Sequence, residues 1–322
     1  MKGITLLAFT LLAGTQVSAA TYVLDETPAA LIGNPGSDST SRDDTLLDVA
    51  RRNGLGYEEI VRANPGVDTW LPGAGRSLVL PTQRIVPDVE HTGIVINLPE
   101  HRLYYFPKAK RGAAPTVVTY PVSIGRMDWS TPIGVTRIVV KTANPSWYPP
   151  QAVLAEHEAN GDPLPAVIPP GPDNPLGAYA MRLGIPGGAY LIHGTNKPAG
   201  VGMQVTHGCM RLYPEDIAAL FPLIPVQTQV RIINEPVKLG WEGDELYMEA
   251  HRPLDRMGDP EEPDLKVLEG MLLQATADRQ VAINWDLARQ TLQLAQGIPT
   301  VVAIEVLTEI DPIEHEAPVP RP

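Results

Sequence analysis

Between Ile192 and Leu212 the chain reads IHGTNKPAGVGMQVTHGCMRL. This stretch holds the only cysteine of the 322 residues, Cys209, and two of the seven histidines, His193 and His207. An arginine, Arg211, follows two residues past the cysteine. The thiolate is the reactive form of cysteine, and cationic or hydrogen-bonding neighbours favour it relative to a free thiol of pKa about 8.5. A histidine takes the thiol proton and returns it to a leaving group. Glycines, here Gly194 and Gly208, let backbone N–H groups approach a developing oxyanion closely. These are the parts of a cysteine nucleophile.

Two other readings compete. A lone cysteine is more often a small buried hydrophobe, but core cysteines sit in apolar runs, whereas Cys209 sits in THGCMR. A catalytic zinc needs three protein ligands, and His193, His207 and Cys209 are the candidates. The H-x-C spacing of His207 and Cys209 is too tight for the usual arrangements, so no metal and no cofactor is expected.

HGT followed by THGCMRL resembles the signature of L,D-transpeptidases with a YkuD-type catalytic domain, in which HG precedes an S/T-H-G-C-x-R block. The likeness runs from about Thr21 to Pro253 and includes SIGRMDWSTPIG (Ser123 to Gly134), NPSWYPP (Asn144 to Pro150) and GPDNPLGAYAMRL (Gly171 to Leu183). The resemblance implies that Cys209 is the nucleophile and His193 the general base, its ring oriented by a carbonyl in Gly194-Thr195. It also implies an oxyanion hole from the N–H groups of His207, Gly208 and Cys209, with Arg211 holding the site or a substrate carboxylate. Thr206 stands where serine is commoner and keeps the hydroxyl.

The surrounding elements must position these groups. Residues 1–20 read as a secretory signal peptide: Met1-Lys2, a mostly apolar Ile4 to Val17, then Ser18-Ala19-Ala20. In an oxidising compartment one cysteine cannot pair internally, and an unpaired thiol there favours a chemical role. Residues 21–84 resemble a LysM peptidoglycan-binding module. TYVL (Thr21 to Leu24) is its possible first strand, followed by helices at Thr45-LLDVARRNG and Tyr57-EEIVRANPG and a strand at Ser77-LVLP. Asp43 or Asp44 is the expected cap of the first helix. The polar run from Asp25 to Arg42 replaces the family's short turn.

Residues 91–235 form the expected catalytic domain. Strands every 10 to 20 residues, separated by Gly/Pro turns, predict a mainly β, sandwich-like domain. The expected strands are GIVINLPEHRLYYF (a pair), VVTYPVSIG, TRIVVKT, AYAMRL and AYLIHG, with a helix at Pro214-EDIAALF and a closing strand to Ile233. From Asn144 to Pro175 there are nine prolines and little periodicity, predicting a stiff irregular loop acting as a lid over Cys209. Trp147 and Tyr148 are its candidate wall residues.

Residues 240–322 read as an acidic, partly disordered α/β appendage, with a helix at Trp285-DLARQTLQLAQ and a strand at Thr300-VVAIEVLTEI. Of the net charge of −12, residues 241–322 carry −11, from 17 acids and 6 bases. That acidity argues against nucleic-acid or anionic-lipid binding.

The resemblance implies a periplasmic enzyme acting on peptidoglycan stem peptides. Cys209 attacks between diaminopimelate and terminal D-alanine, and the acyl group passes to a second diaminopimelate amine or to the lysine of an outer-membrane lipoprotein. Water as acceptor makes it a carboxypeptidase, and a peptidoglycan-binding scaffold without activity is the reading from another class. A papain-like protease is disfavoured, because its signature around the cysteine is missing.

Overall fold

The computed structural model describes residues 21–24, 29–126, 129, 131–187, 190–254 and 264–306. The signal-peptide segment and the C-terminal EHEAPVPRP lie outside them. The chain opens with β1 (Thr21–Val23), β2 (Leu31–Ile32), β3 (Gly36–Ser39), α1 (Leu46–Arg52), α2 (Tyr57–Ala63), β4 (Ser77–Leu80) and β5 (Arg84–Ile85). The middle supplies β6 (Gly93–Asn97), β7 (Arg102–Phe106), β8 (Thr116–Pro121), β9 (Ile124–Gly125) and β10 (Gly134–Ala143). After α3 (Gln151–Ala159) come β11 (Tyr179–Leu183), β12 (Leu191–His193), β13 (Gln204–Thr206), β14 (Met210–Arg211), α4 (Pro214–Leu220) and β15 (Gln229–Ile233). The last elements are β16 (Val237–Glu242), β17 (Glu245–Ala250), α5 (Leu265–Ala275), β18 (Val281–Ile283), α6 (Trp285–Leu294) and β19 (Thr300–Glu305).

Nine strands form the main sheet in the order β1-β8-β7-β6-β15-β10-β11-β12-β14. Ile94, Leu103 and Val122 from one half share a core with Met181, Ile192 and Met210 from the other. A sheet whose two ends bury side chains in one core must curl on itself, which is how the expected sandwich-like domain is built. Helix α4 closes this core with Ile217 and Leu220, both fully buried.

The small N-terminal unit differs from expectation at its first strand. TYVL does not pair with Ser77–Leu80. It extends the main sheet, Thr21 opposite Val118, because Tyr22 and Leu24 pack into a second apolar cluster with Val95, Tyr104 and Val117. The partner of β4 is β3, Gly36 opposite Leu80, which lies inside the polar run. Thr45 caps α1, rather than Asp43 or Asp44: its Oγ1 accepts from the Asp48 N–H at 3.2 Å while Asp48 Oδ2 accepts from the Thr45 N–H at 2.9 Å. Asn64 then ties α2 to β4, its side chain donating to the Ile60 and Val79 carbonyls and accepting from the Val79 N–H.

The proline-rich segment also departs from expectation. It contains a helix, α3, where QAVLAEHEA offers nine residues free of proline and glycine between Pro150 and Gly161. Asn174, fully buried, closes the segment at its base by donating to the carbonyls of Pro145, Ile168 and Pro169.

The C-terminal region is a four-stranded sheet, β16-β17-β19-β18, covered by α5 and α6 over its own apolar core. It joins the rest through buried charge. Lys238 lies 3.0 Å from both Glu100 and Glu249, and Glu249 also accepts from the Ile85 N–H and bonds His251 at 2.7 Å. Glu100, Glu249 and His251 are close enough together to hold a metal ion, but the Lys238 ammonium already satisfies both carboxylates.

Candidate active site

The pairing of β12 with β14 sets the site. The two strands are parallel, Ile192 opposite Met210 and His193 opposite Arg211. Side chains alternate between the faces of a strand. Ile192, Met210 and Leu212 turn into the core, so His193, Arg211 and Cys209 fall together on the other face. Alternation of apolar and chemical residues therefore does the positioning, and a shift of one residue would turn the thiol into the apolar core and methionine out of it.

The loop before the cysteine is held by fixed bonds. Thr206, buried, donates from Oγ1 to the Cys209 carbonyl at 2.6 Å, and Thr131 Oγ1 donates to the Gly208 carbonyl at 3.1 Å. Gly208 has φ +91°, and a Cβ there would come within 2.8 Å of the Tyr190 ring. Only glycine fits, for both reasons. Ser123 exchanges backbone bonds with Arg211 at 2.9 and 3.1 Å, locking the strand that follows the nucleophile.

His193 is buried, and its Nδ1 lies 2.6 Å from the Gly194 carbonyl. That bond fixes the tautomer with a proton on Nδ1 and leaves Nε2 as a base. Burial, aided by the nearby Arg211 charge, pushes the imidazole pKa down to about 3. Burial likewise pushes the Cys209 thiol up to about 11, against the Leu191 backbone and Arg211, which both lower it. Burial thus works against the neighbouring cation at the thiol and favours the neutral form of both groups.

His207 does not sit with His193. Its Nε2 is 2.9 Å from Glu156 Oε2, and its ring meets Trp129 edge-on at 5.1 Å. Glu156, from α3, also takes a two-pronged pair from Arg126, both bonds 2.9 Å. These bonds hold the Glu156 carboxyl down to about 2. The proline-rich segment is thus fastened to the nucleophile loop by one carboxylate.

His193 and Arg211 face each other on β12 and β14 with Cys209 next to Arg211, Thr206 and Gly208 shape the cysteine loop, His207 turns to Glu156, and Thr195 follows Gly194 with its Oγ1 accepting from the Lys197 N–H. Trp147 and Tyr148 lie in the first part of the proline-rich segment. Trp147 exchanges backbone bonds with Ile168 at 2.8 Å, and Tyr148 is 69% exposed. Sequence reasoning missed Glu156, Arg126 and Tyr190. Arg126 was within reach, since it lies in the quoted SIGRMDW, but Glu156 had no periodicity to single it out. Arg211 Nε is buried with no hydrogen-bond partner among the described residues, which leaves a charged donor on the face shared with Cys209.

Comparison with known proteins follows the same outline. Residues 91–232 match the YkuD family, described as an L,D-transpeptidase catalytic domain. "Probable L,D-transpeptidase YbiS" of Escherichia coli (strain K12) is 45% identical over 74% of this chain and 78% of its own length. "Probable L,D-transpeptidase YcfS" of the same strain is 37% identical over 88% of each chain. "Probable L,D-transpeptidase ErfK/SrfK" of that strain is 37% identical over 92% of this chain and 96% of its own.

Proposed function

This chain belongs to the L,D-transpeptidases with a YkuD catalytic domain, and on that premise we propose that it is an exported, periplasmic cysteine acyltransferase of peptidoglycan stem peptides. The observation that carries this reading is the shared face of β12 and β14, where His193, Cys209 and Arg211 meet beside a glycine that nothing else can replace.

The chemistry follows from the resting protonation. Cys209 starts as a thiol, so its proton passes to His193 Nε2 as sulfur bonds to the substrate carbonyl carbon. The oxyanion is met by the N–H groups of His207, Gly208 and Cys209. The carbon–nitrogen bond to terminal D-alanine then breaks, and the His193 proton leaves on the departing amine. An amine next attacks the thioester, giving its proton to His193, and the thiol is restored. Arg211, with a buried donor unpaired among the described residues, binds a carboxylate or carbonyl of the stem peptide. The amine belongs to a second diaminopimelate or to the C-terminal lysine of an outer-membrane lipoprotein. The β3-α1-α2-β4 unit has the strand-helix-helix-strand order of a LysM module, supporting attachment to glycan.

Disaccharide-tetrapeptide, alone and with a lysine-terminated peptide, separates the outcomes by mass. A cross-linked dimer or a peptide adduct supports transfer, and free tripeptide in both tubes replaces it with a carboxypeptidase. Cys209→Ala and His193→Ala each remove turnover by several orders of magnitude, as expected of members of one unit. His207→Ala retains much of it, because His207 faces Glu156 rather than the thiol.

A further inference from the structure

A cavity of about 320 Å³ opens where all three regions of the chain meet. Helix α2 contributes Glu58 and Arg62, the catalytic domain His101, Arg126 and Val205, and the segment after β17 Arg252. Val205 precedes Thr206, whose hydroxyl bonds the Cys209 carbonyl, so the cavity backs onto the nucleophile loop. Three arginines and one carboxylate face it. Glu58 is paired with Arg62 at 2.9 Å and Glu156 with Arg126, so that among the described residues lining the cavity Arg252, exposed, is the arginine outside those pairs.

The second feature is His101. It is 6% exposed, yet its Nδ1 is buried with no hydrogen-bond partner among the described residues. Burial pushes its pKa down to about 4, so the ring is neutral, and Nδ1 accepts in the tautomer that carries its proton on Nε2. The backbone at His101 is left-handed, with φ +55°, a conformation rarely adopted by residues with a side chain and frequent where function constrains the chain. An orphaned acceptor costs free energy unless something donates to it. An acceptor beside a cation matches one common group: a chain end, with a terminal amide N–H and an α-carboxylate.

We propose that this cavity receives the C-terminus of the acyl acceptor, its α-carboxylate held by Arg252 with Arg62 and its terminal N–H donated to His101 Nδ1. The proposal rests on the transferase reading. It gives the two flanking regions a task, since neither the catalytic domain nor either appendage carries all of these groups. A lysine-terminated peptide and an acceptor stem peptide share the chemistry, both ending in a free carboxylate within one residue of the attacking amine.

The test uses a lysine-terminated peptide as free acid and as C-terminal amide, titrated calorimetrically into the full-length Cys209→Ala protein. The free acid is expected to bind about tenfold more tightly, as one charge-assisted contact allows. Arg252→Gln in the same background abolishes that preference. In the active enzyme Arg252→Gln raises the acceptor KM by about the same factor, with kcat and the rate of carbapenem acylation unchanged. Equal binding of acid and amide, or a preference undiminished in Arg252→Gln, overturns the proposal. If a carbapenem acylates the wild type but acid and amide bind alike, the cavity assignment alone falls. If no adduct forms while the preference holds, the transferase reading falls and the cavity remains a site for peptide chain ends.

Discussion

The small N-terminal unit is held to β7 of the catalytic domain, and α3 to the nucleophile loop, in each case by one carboxylate between two cationic groups. On the side of the small N-terminal unit, Glu59 binds Arg102 at 2.7 and 2.9 Å and Arg84 at 3.3 Å, with side chains no more than 9% exposed. Next to it, the α2 N–H groups of Tyr57 and Glu58 donate to the Val201 and Gly202 carbonyls, backbone on backbone. On the side of α3, Glu156 binds Arg126 and His207 with side chains 29 to 32% exposed. The bond lengths are similar and only the burial differs. A buried triad cannot lose one member without stranding charge, whereas an exposed pair trades easily with water and salt. The first attachment is a buried joint, the second is only partly buried, and the second should therefore yield first.

Removing the carboxylate from the joint is the largest perturbation. Glu59→Ala leaves two guanidinium groups buried without their counter-ion, and the expected loss is about 3–5 kcal/mol in a urea unfolding experiment. A loss near zero would mean that water enters the joint and that the contrast with Glu156 is false. The pH response has a definite sign. Arg102 and Arg84 hold the Glu59 carboxyl below its usual range despite burial. Its contribution is therefore present above the ordinary carboxylate pKa and is lost as pH falls below it. Between neutral and acid pH the wild type should lose more stability than Glu59→Gln.

Gly202→Ala tests the same joint through its backbone. Gly202 has φ +86°, and a Cβ there would lie 2.4 Å from the Tyr57 nitrogen and 2.5 Å from the Gly56 Cα. Both obstacles are main chain and cannot swing aside. We expect about 2 kcal/mol of lost stability, with slower acylation because the displaced segment leads into β13 and Cys209. Full stability with normal acylation would show that the two units are only loosely docked.

The comparison also explains what the residues disclose by themselves. Strands such as β6, β11 and β12 were legible because Ile94, Met181 and Ile192 alternate over a core that repeats every two residues. The nucleophile group was legible because Cys209, His193 and Arg211 are close in sequence and chemically unusual. The strand partner of β4 was not, since Gly36–Ser39 is polar and pairs through backbone alone, while Thr21–Val23 looks like a better strand but finds its partner 95 residues on, Val23 opposite Thr116 still within the same ladder. Nor was Glu156 legible, because its partners lie 30 and 51 residues away on other loops. The raised thiol pKa was hidden as well, since neighbours in sequence reveal charge but not burial.

The smallest structural disturbance should give the most informative kinetics. Glu156→Gln keeps the shape of the side chain and removes the charge that joins α3 to Arg126 and His207. These groups are substantially exposed, so the melting temperature should stay unchanged. What should change is access to the thioester. With the fastening weakened, α3 and the proline-rich segment open more often over the nucleophile loop. Carbapenem capture of Cys209 should then speed up, and the fraction of acyl-enzyme lost to water should rise relative to amine transfer. High salt should push the wild type the same way, because it screens an exposed pair, and should leave Glu156→Gln indifferent. Acidity adds a control of known sign. The carboxyl is held down to about 2 by Arg126 first and His207 second, so the contact is complete above the ordinary carboxylate pKa and is lost only as pH falls toward 2. Across neutral and mildly acidic pH the carboxylate side of the fastening stays charged, and any pH effect on capture there must come from another group. A Glu156→Gln enzyme that melts lower but captures carbapenem and partitions its acyl group like the wild type would reverse the assignment, making this side a joint as well.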